Sequence, residues 1–346
     1  MTLLIINCIP EHQGWTPIQH MVSLAARLLE ADVLNLPGTH PSWTRKALSV
    51  IQPRRRSARA TQSCLFVGTG AADLVKIANI PEWRHRFGFL SAWIIDSFWV
   101  DHMPRVIRLA RPFDHFFITS LEDVDTWKRM TRTPTTWLPW GSDVMDFGGQ
   151  NQQRPWDLTR VGRQPPEWED DQSVSAAAEA FGIRYRGRPP STGLSALQNF
   201  GLLMEVYRNT KYTLAFSNLV NSEMYTHPTR DYLTGRWVDS LACGSTVAGV
   251  SPRGPAALEL LWPGATLEFG SIERRHGLEA MASALKFWTP QHAASNHSMA
   301  LQRLDWRWRF RTIASMLPSI PRTLTEELTK LERSIDSSTR GGVIAK

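Results

Sequence analysis

Two acids, Asp231 and Asp239, stand eight residues apart in the stretch 229–250, where an amphipathic pattern ends at Gly244 and runs straight into the apolar TVAGV. This pattern predicts a helix whose positive N-terminus faces an anion while a mid-helix carboxylate accepts hydrogen bonds from ligand hydroxyls. Arg230 precedes the helix and Arg236 lies within it, each suited to gripping phosphate oxygens. A ligand with both phosphates and sugar hydroxyls, a nucleotide sugar, suits that set. The same residues also have a plainer reading, with Asp239 on a solvated face and Asp231 as an N-cap.

The elements that must position these residues are legible as alternating runs. In the first half LLIINCI, DVLNLP, CLFVGTG, FLSAWIID, HFFITS and TWLPWG read as strands, and residues 16–30 as a helix. Thr16 and Pro17 suit that helix's start, and Met21, Leu24, Ala25 and Leu28 repeat at helical spacing. Strands alternating with helices predict parallel βαβ units in a doubly wound sheet. Residues 147–172 turn rich in Gly, Gln, Pro and acids, which marks a linker at the start of that stretch. DLTRVGRQ then reads as the first strand of a second unit, which continues through GIRYRG, YTLAFSN, TVAGV and ATLEFG. In such sheets ligands sit beyond the carboxyl ends of the strands, which puts Arg230 and Asp231 near the ligand and Asp239 two turns deeper. Gly244 is placed to leave the helix in the left-handed conformation. Residues from 301 read as a terminal helix, and the polar tail after Ser334 as frayed.

At 346 residues the chain exceeds what one core usually organises, so two domains are expected. Hydrophobic residues at 42% and charged residues at 21% exclude a disordered chain. Lys and Arg number 39 against 32 Asp and Glu, a net +7 that favours acidic partners. Cys8, Cys64 and Cys243 lie far apart in apolar surroundings without metal-ligand spacing, so they read as reduced core thiols and a cytoplasmic location follows. The N-terminal run ending at Pro10 reads as a first strand, not a signal segment. No run reaches the ~18 apolar residues of a membrane span.

The stretches YLTGRWVDSLACGSTVAG, LELLWPGATLEFGSIERRHGLEAMASAL and LDWRWRFRTIASML together resemble the C-terminal half of GT-B glycosyltransferases, in particular the bacterial group-1-like branch with the CgeB-type spore-maturation proteins. The resemblance covers residues 161–317 and reaches the N-terminal half only through the order of its strands and helices. It implies an α/β fold of two Rossmann-like domains facing across a cleft, with a C-terminal helix. The corresponding divisions are an acceptor domain at 1–147, a linker at 148–156, a nucleotide-sugar domain at 157–300, terminal helices at 301–334 and a flexible tail at 335–346. By the same resemblance Asp239 binds the nucleotide ribose, Asp231 lies near the donor sugar, and Arg163 contacts the diphosphate. Both acids are usually Glu in the large retaining branch, and here each is one methylene shorter.

The resemblance also implies metal-independent chemistry, in which arginines and helix dipoles stabilise the leaving group. A metal alternative would use Asp123 and Asp125, an Asp-x-Asp after a strand, although acids in a first helical turn are favourable in any case. For an inverting reaction the base should come from the N-terminal half. Asp96, at the end of FLSAWIID, is the first choice because a desolvated strand-end carboxylate has its pKa raised towards working pH. Asp101 and His102 are the second. His12 and Gly14, in the loop after the first strand, are placed to line a ligand pocket, glycine permitting close approach.

Arg54, Arg55, Arg56 and Arg59 form a basic run that suits an anionic leaflet or a lipid-linked acceptor, or simply a solvated loop. Trp306, Trp308 and Phe310 alternate with Arg303, Arg307, Arg309 and Arg311, which at helical spacing predicts a packed helix with one apolar and one basic face, so nucleic acid is not the expected partner. The sequence thus predicts transfer of a sugar from a nucleotide diphosphate sugar, a UDP-sugar as donor substrate with no separate cofactor, to a polysaccharide, lipid-linked or other glycoconjugate acceptor. Two alternatives stand beside it: a nucleotide-sugar epimerase on the same fold, and a non-catalytic basic binding protein.

Overall fold

Parallel strands covered on both faces must be apolar along their whole length, and the short Val-, Leu-, Ile- and Phe-rich runs of this chain satisfy that demand. A computed structural model describes residues 2–36, 38, 40–51, 62–190, 195–220 and 226–343. Among them, two wholly parallel sheets form. The first joins β1 (Thr2–Asn7), β2 (Ala31–Asn35), β3 (Gln62–Gly68), β4 (Phe87–Ile94), β5 (His115–Ile118) and β6 (Thr135–Trp137) in the order β2-β1-β3-β4-β5-β6. Its register sets Ile5 opposite both Val33 and Leu65. The second joins β7 (Trp156–Arg160), β8 (Tyr185–Arg186), β9 (Thr210–Phe216), β10 (Thr246–Val250) and β11 (Thr266–Glu268) in the order β11-β10-β9-β7-β8.

The chain divides into two compact units, Met1–Pro139 with Arg309–Glu327, and Trp140–Trp308 with Leu328–Lys346. Each has its own core. In the first, Phe66, Leu90, Ile94, Phe116 and Trp127 pack beside the sheet. In the second, Trp168 stacks on Phe269 at 5.7 Å over Leu158, Leu214 and Ala248. Each fully buried Leu, Ile or Phe among them contributes about 1.5–3 kcal/mol. The architecture is therefore the expected α/β fold of two Rossmann-like units with a C-terminal helix, Arg322–Val343. All three cysteines are buried free thiols, in keeping with their apolar surroundings.

Three local readings are corrected. The helix of the 229–250 stretch starts at Gly235, not near Thr229, and runs to Ala242. Residues after Ser334 continue a helix to Val343 instead of fraying. The segment after residue 301 is broken: helix Pro290–Arg303 ends, Asp305 pairs with Ser142 in an isolated bridge, and a new helix runs Trp306–Ala314. The basic face expected there is divided: Arg307 and Arg309 are buried, whereas Arg303 and Arg311 are exposed.

Two glycines hold close passages that no other residue fits. Gly244 leaves its helix at φ 75°, as expected, and a Cβ there would come within 2.6 Å of the Ala293 carbonyl. Gly249, within β10 at φ 149°, lets the strand pass so near β9 that a Cβ would overlap the Ala215 carbonyl oxygen.

Candidate functional site

In each sheet the strand order reverses once, between β1 and β3 in the first and between β7 and β9 in the second. Loops leaving the carboxyl ends of strands at such a point diverge and leave room for a ligand. In the second unit the loop after β7 carries Val161, Gly162, Arg163 and Gln164, and the loop after β9 begins at Ser217.

Gly162 takes φ 69°, a left-handed turn that brings the chain under Arg236. A Cβ at Gly162 would lie 2.6 Å from Arg236 Nη2, and Arg236 Nη1 donates to the Arg163 carbonyl at 3.1 Å. Arg188 Nη2 donates to the Gly162 carbonyl at 2.9 Å and pairs with Glu169 at 2.9 Å. Below them Arg160 is buried between Glu169 and Asp171, each at 2.7 Å, so these two acids are already matched by arginines. The structure brings Arg236 against the backbone of Arg163. Arg163 itself is exposed.

Asp231 lies in the loop before the helix, not on it. Its Oδ1 accepts from Ser217 Oγ at 2.7 Å and its Oδ2 from the Arg253 backbone N–H at 2.6 Å. It therefore clasps the loop after β9 to the loop after β10. Asn218 adds to the clasp by donating to the Arg230 carbonyl at 2.6 Å, and His227 Nδ1 accepts from the Arg230 N–H at 3.1 Å. Each Asp231 oxygen accepts one bond from the protein, and a carboxylate oxygen has the capacity to accept a second. Arg230 and Arg253, whose backbones are fixed this way, stand at the same strand ends as Arg163 and Arg236.

Asp239 is also corrected. The amphipathic helix turns it inward, where it is 1% exposed, out of reach of a ribose. Ser142 Oγ donates to Asp239 Oδ1 at 2.6 Å, and Oδ2 has no hydrogen-bond partner among the described residues. Burial pushes its carboxyl up to about 7; the Ser142 bond pulls the other way and nearby Asp143 adds to the rise. Beside it Arg307 pairs with Asp143 at 2.9 Å, Asp146 at 3.0 Å and Asp305 at 3.2 Å. Burial works against the Arg307 charge, but Asp305 and Asp143 hold its pKa above the ordinary value. Asp305 is raised by its burial. This cluster locks residues 140–147 to the helices of the second unit.

In the first unit, His12 and Gly14 follow β1, Thr69 and Gly70 follow β3, and Asp96 follows β4, along one sheet edge. His12 Nδ1 accepts from the Gly14 N–H at 3.1 Å, so the two form one turn. The Asp96 N–H donates to the Thr69 carbonyl at 2.6 Å, and desolvation pushes its carboxyl up to about 7. His102 is exposed and stacks on Trp99 at 4.5 Å, while Asp101 is exposed beside it. Asp123 and Asp125 do not converge: Asp123 is buried, whereas Asp125 is exposed and lies 3.7 Å from Lys128. Arg54, Arg55, Arg56 and Arg59 lie outside the described residues.

Sequence reasoning missed Ser217, Arg188, Arg253, Gln164 and Ser142. Ser217 and Arg253 each follow a strand within a few residues, a signal that was present. Gln164, buried where the strand order reverses, donates to the Val161 and Leu214 carbonyls at 3.1 and 3.2 Å. Nothing in the sequence links Ser142 to Asp239, 97 positions away.

Fold and geometry together define a chain of two Rossmann-like units, the second with an arginine-lined edge at its strand-order reversal. No family model matches the chain, and no curated protein matches it. Among solved structures it is similar to apo UGT2 of Phytolacca americana, at 10% sequence identity over 96% of this chain and 100% of that one, with a TM-score of 0.38. A likeness of that size says nothing about chemistry.

Proposed function

We propose that this chain is a GT-B-type glycosyltransferase of the group-1-like branch, working in the cytoplasm. It moves a sugar from a UDP-sugar to a polysaccharide, lipid-linked or other glycoconjugate acceptor, without a metal. The observation that carries the reading is the Gly162 turn, with Arg236 over it and Arg163 beside it, at the strand-order reversal of the second sheet. Guanidinium groups there bind a diphosphate and offset the charge that develops on it as it leaves. Arg188, Arg230 and Arg253 surround the same edge, and the acids among them are engaged within the protein.

Asp231 acts as a positioning residue, setting the Arg253 loop against the Ser217 loop. Asp239 acts likewise from beneath, through Ser142. Asp96 is the base: it takes the proton of the acceptor hydroxyl as that oxygen bonds to the anomeric carbon, and the sugar–phosphate bond breaks with its electron pair on the diphosphate. A carboxyl held near 7 suits that task. His12 and Gly14 line the acceptor side. The test is transfer from a panel of UDP-, ADP- and GDP-sugars, scored by release of nucleoside diphosphate. Release that depends on Arg163 and Arg236 supports the reading, and no release from any donor refutes it.

A second reading has one observation in its favour. Both acids of the 229–250 stretch are engaged internally, which suits a nucleotide-binding protein without catalysis. Tight UDP binding with no release from any donor would select it.

A further inference from the structure

We propose that Gln164 is the positioning residue of the loop after β7: it keeps the turn at Gly162 and Arg163 in its binding shape while the arginines around it engage a diphosphate. The inference rests on the reading of this edge as the donor site. Three successive carbonyls of the loop each accept from a side chain. Gln164 Nε2 donates to that of Val161 at 3.1 Å, Arg188 Nη2 to that of Gly162 at 2.9 Å, and Arg236 Nη1 to that of Arg163 at 3.1 Å. Across a trans peptide the N–H of the next residue points away from the carbonyl, so these bonds also set the directions of the N–H groups of residues 162–164. The last of them, that of Gln164, donates to Glu169 Oε2 at 2.8 Å.

The three clamps are not equivalent. Arg188 is exposed and Arg236 half-buried, and a guanidinium bonds a phosphate more strongly than a neutral carbonyl, so a bound diphosphate draws both away from the loop. Gln164 has no charge to lend to a phosphate. It is buried, and its Nε2 donates also to the Leu214 carbonyl of β9 at 3.2 Å, which ties the loop to the sheet. Two carbonyls at one end of the amide fix that end as the NH2 group. At the other end Oε1 is buried with no hydrogen-bond partner among the described residues. A buried acceptor left unbonded is destabilising, and a leucine of similar size would avoid it. The amide is thus explained by the two bonds it donates, not by the space it fills.

The experiment is calorimetric titration of the full chain with UDP, for the wild type, Gln164→Leu, Arg163→Ala and the double variant, with melting temperature as the check on folding. Gln164→Leu should bind UDP about tenfold more weakly than the wild type. In the Arg163→Ala background the same change should weaken binding by less than about threefold, because the contact that Gln164 positions is already gone. Equal losses in the two backgrounds, or wild-type affinity in Gln164→Leu, overturn the proposal. Gln164→Glu keeps the size and gives a second measurement, should the leucine variant fold poorly. Burial beside two carbonyls raises the pKa of the new carboxyl, so it gains a donor at about pH 5 and loses it at about pH 9. Its UDP affinity relative to the wild type should fall between those two conditions, and a constant ratio overturns the proposal. No heat of UDP binding in the wild type refutes the donor-site reading and this role with it. Binding in the wild type with unchanged affinity in the Gln164 variants refutes this role alone.

Discussion

Arg236 lies across the turn at Gly162, with Nη2 only 2.6 Å from where a Cβ would stand and Nη1 donating to the next carbonyl, that of Arg163, at 3.1 Å. The glycine is needed twice, for its φ of 69° and for the space that the guanidinium fills. One small residue thus sets both the course of the loop after β7 and the position of a cation above it.

Gly162→Ala should therefore do more harm than a loop substitution usually does. The left-handed conformation costs about 1–2 kcal/mol for a residue with a Cβ, and Arg236 must also move. Calorimetric melting and a UDP titration check this: a lower melting temperature and about tenfold weaker binding are expected. A variant with wild-type affinity would show that Arg236 does not need this turn.

Asp231→Ala should loosen the clasp between Ser217 and Arg253, each bond to the carboxylate contributing about 1.5–3 kcal/mol. Asp231→Asn, which can still accept at one oxygen, should recover most of the loss. The informative readout is the split between KM and kcat. A positioning role raises KM for the donor in the Ala variant and restores it in the Asn variant, whereas loss of kcat in both would return Asp231 to direct contact with the sugar.

Asp239 predicts a pH dependence of stability. Its carboxyl is raised from an ordinary 3.8 to about 7 in the folded chain, so the folded state holds a proton that the unfolded state has released. Stability from this group is full below about 4 and is lost as pH rises through about 7, by at most a few kcal/mol. Asp96 and Asp305 shift in the same direction, so the site is isolated by difference. Asp239→Asn should match the wild type near pH 4 and gain on it towards pH 8 in denaturant melts. A constant difference across that range would mean that Asp239 stays ionised.

Arg307 faces three carboxylates at complete burial. Removing it by Arg307→Ala leaves those charges uncompensated, and a loss of about 3–5 kcal/mol is expected. Urea unfolding checks this, and a loss below about 1 kcal/mol would mean that the acids are already neutral.

Asp96→Asn should leave nucleotide affinity intact and lower turnover. In the wild type kcat/KM should climb with pH and level off above about 7, as the base loses its proton, and in the variant that limb should vanish. Wild-type turnover in Asp96→Asn would remove it from the chemistry.

The strands were legible because both faces of a parallel sheet demand apolar residues: TVAGV became β10 residue for residue. The exit at Gly244 was legible for a related reason, since a glycine just after a helix signals positive φ. The site was harder. Residues 229–234 look like a helix start, yet their backbone is held by Asn218 and His227, and Asp231 accepts from a residue 22 positions later. An acid or arginine on an amphipathic helix reads as solvated unless its distant partners are known. Asp239 answers to Ser142, and Arg307 to Asp143 and Asp146, across more than 90 residues each. Local periodicity carries no trace of such pairings.

The most direct test of the nucleotide-diphosphate edge is isothermal calorimetry of UDP against the wild type, Arg163→Ala and Arg236→Ala. The wild type should bind UDP, and each variant should bind about tenfold more weakly, the loss of one charge-assisted contact of roughly 1.5 kcal/mol. No heat of binding in the wild type, or equal affinity in all three, would contradict the placement of the donor at the Gly162 turn.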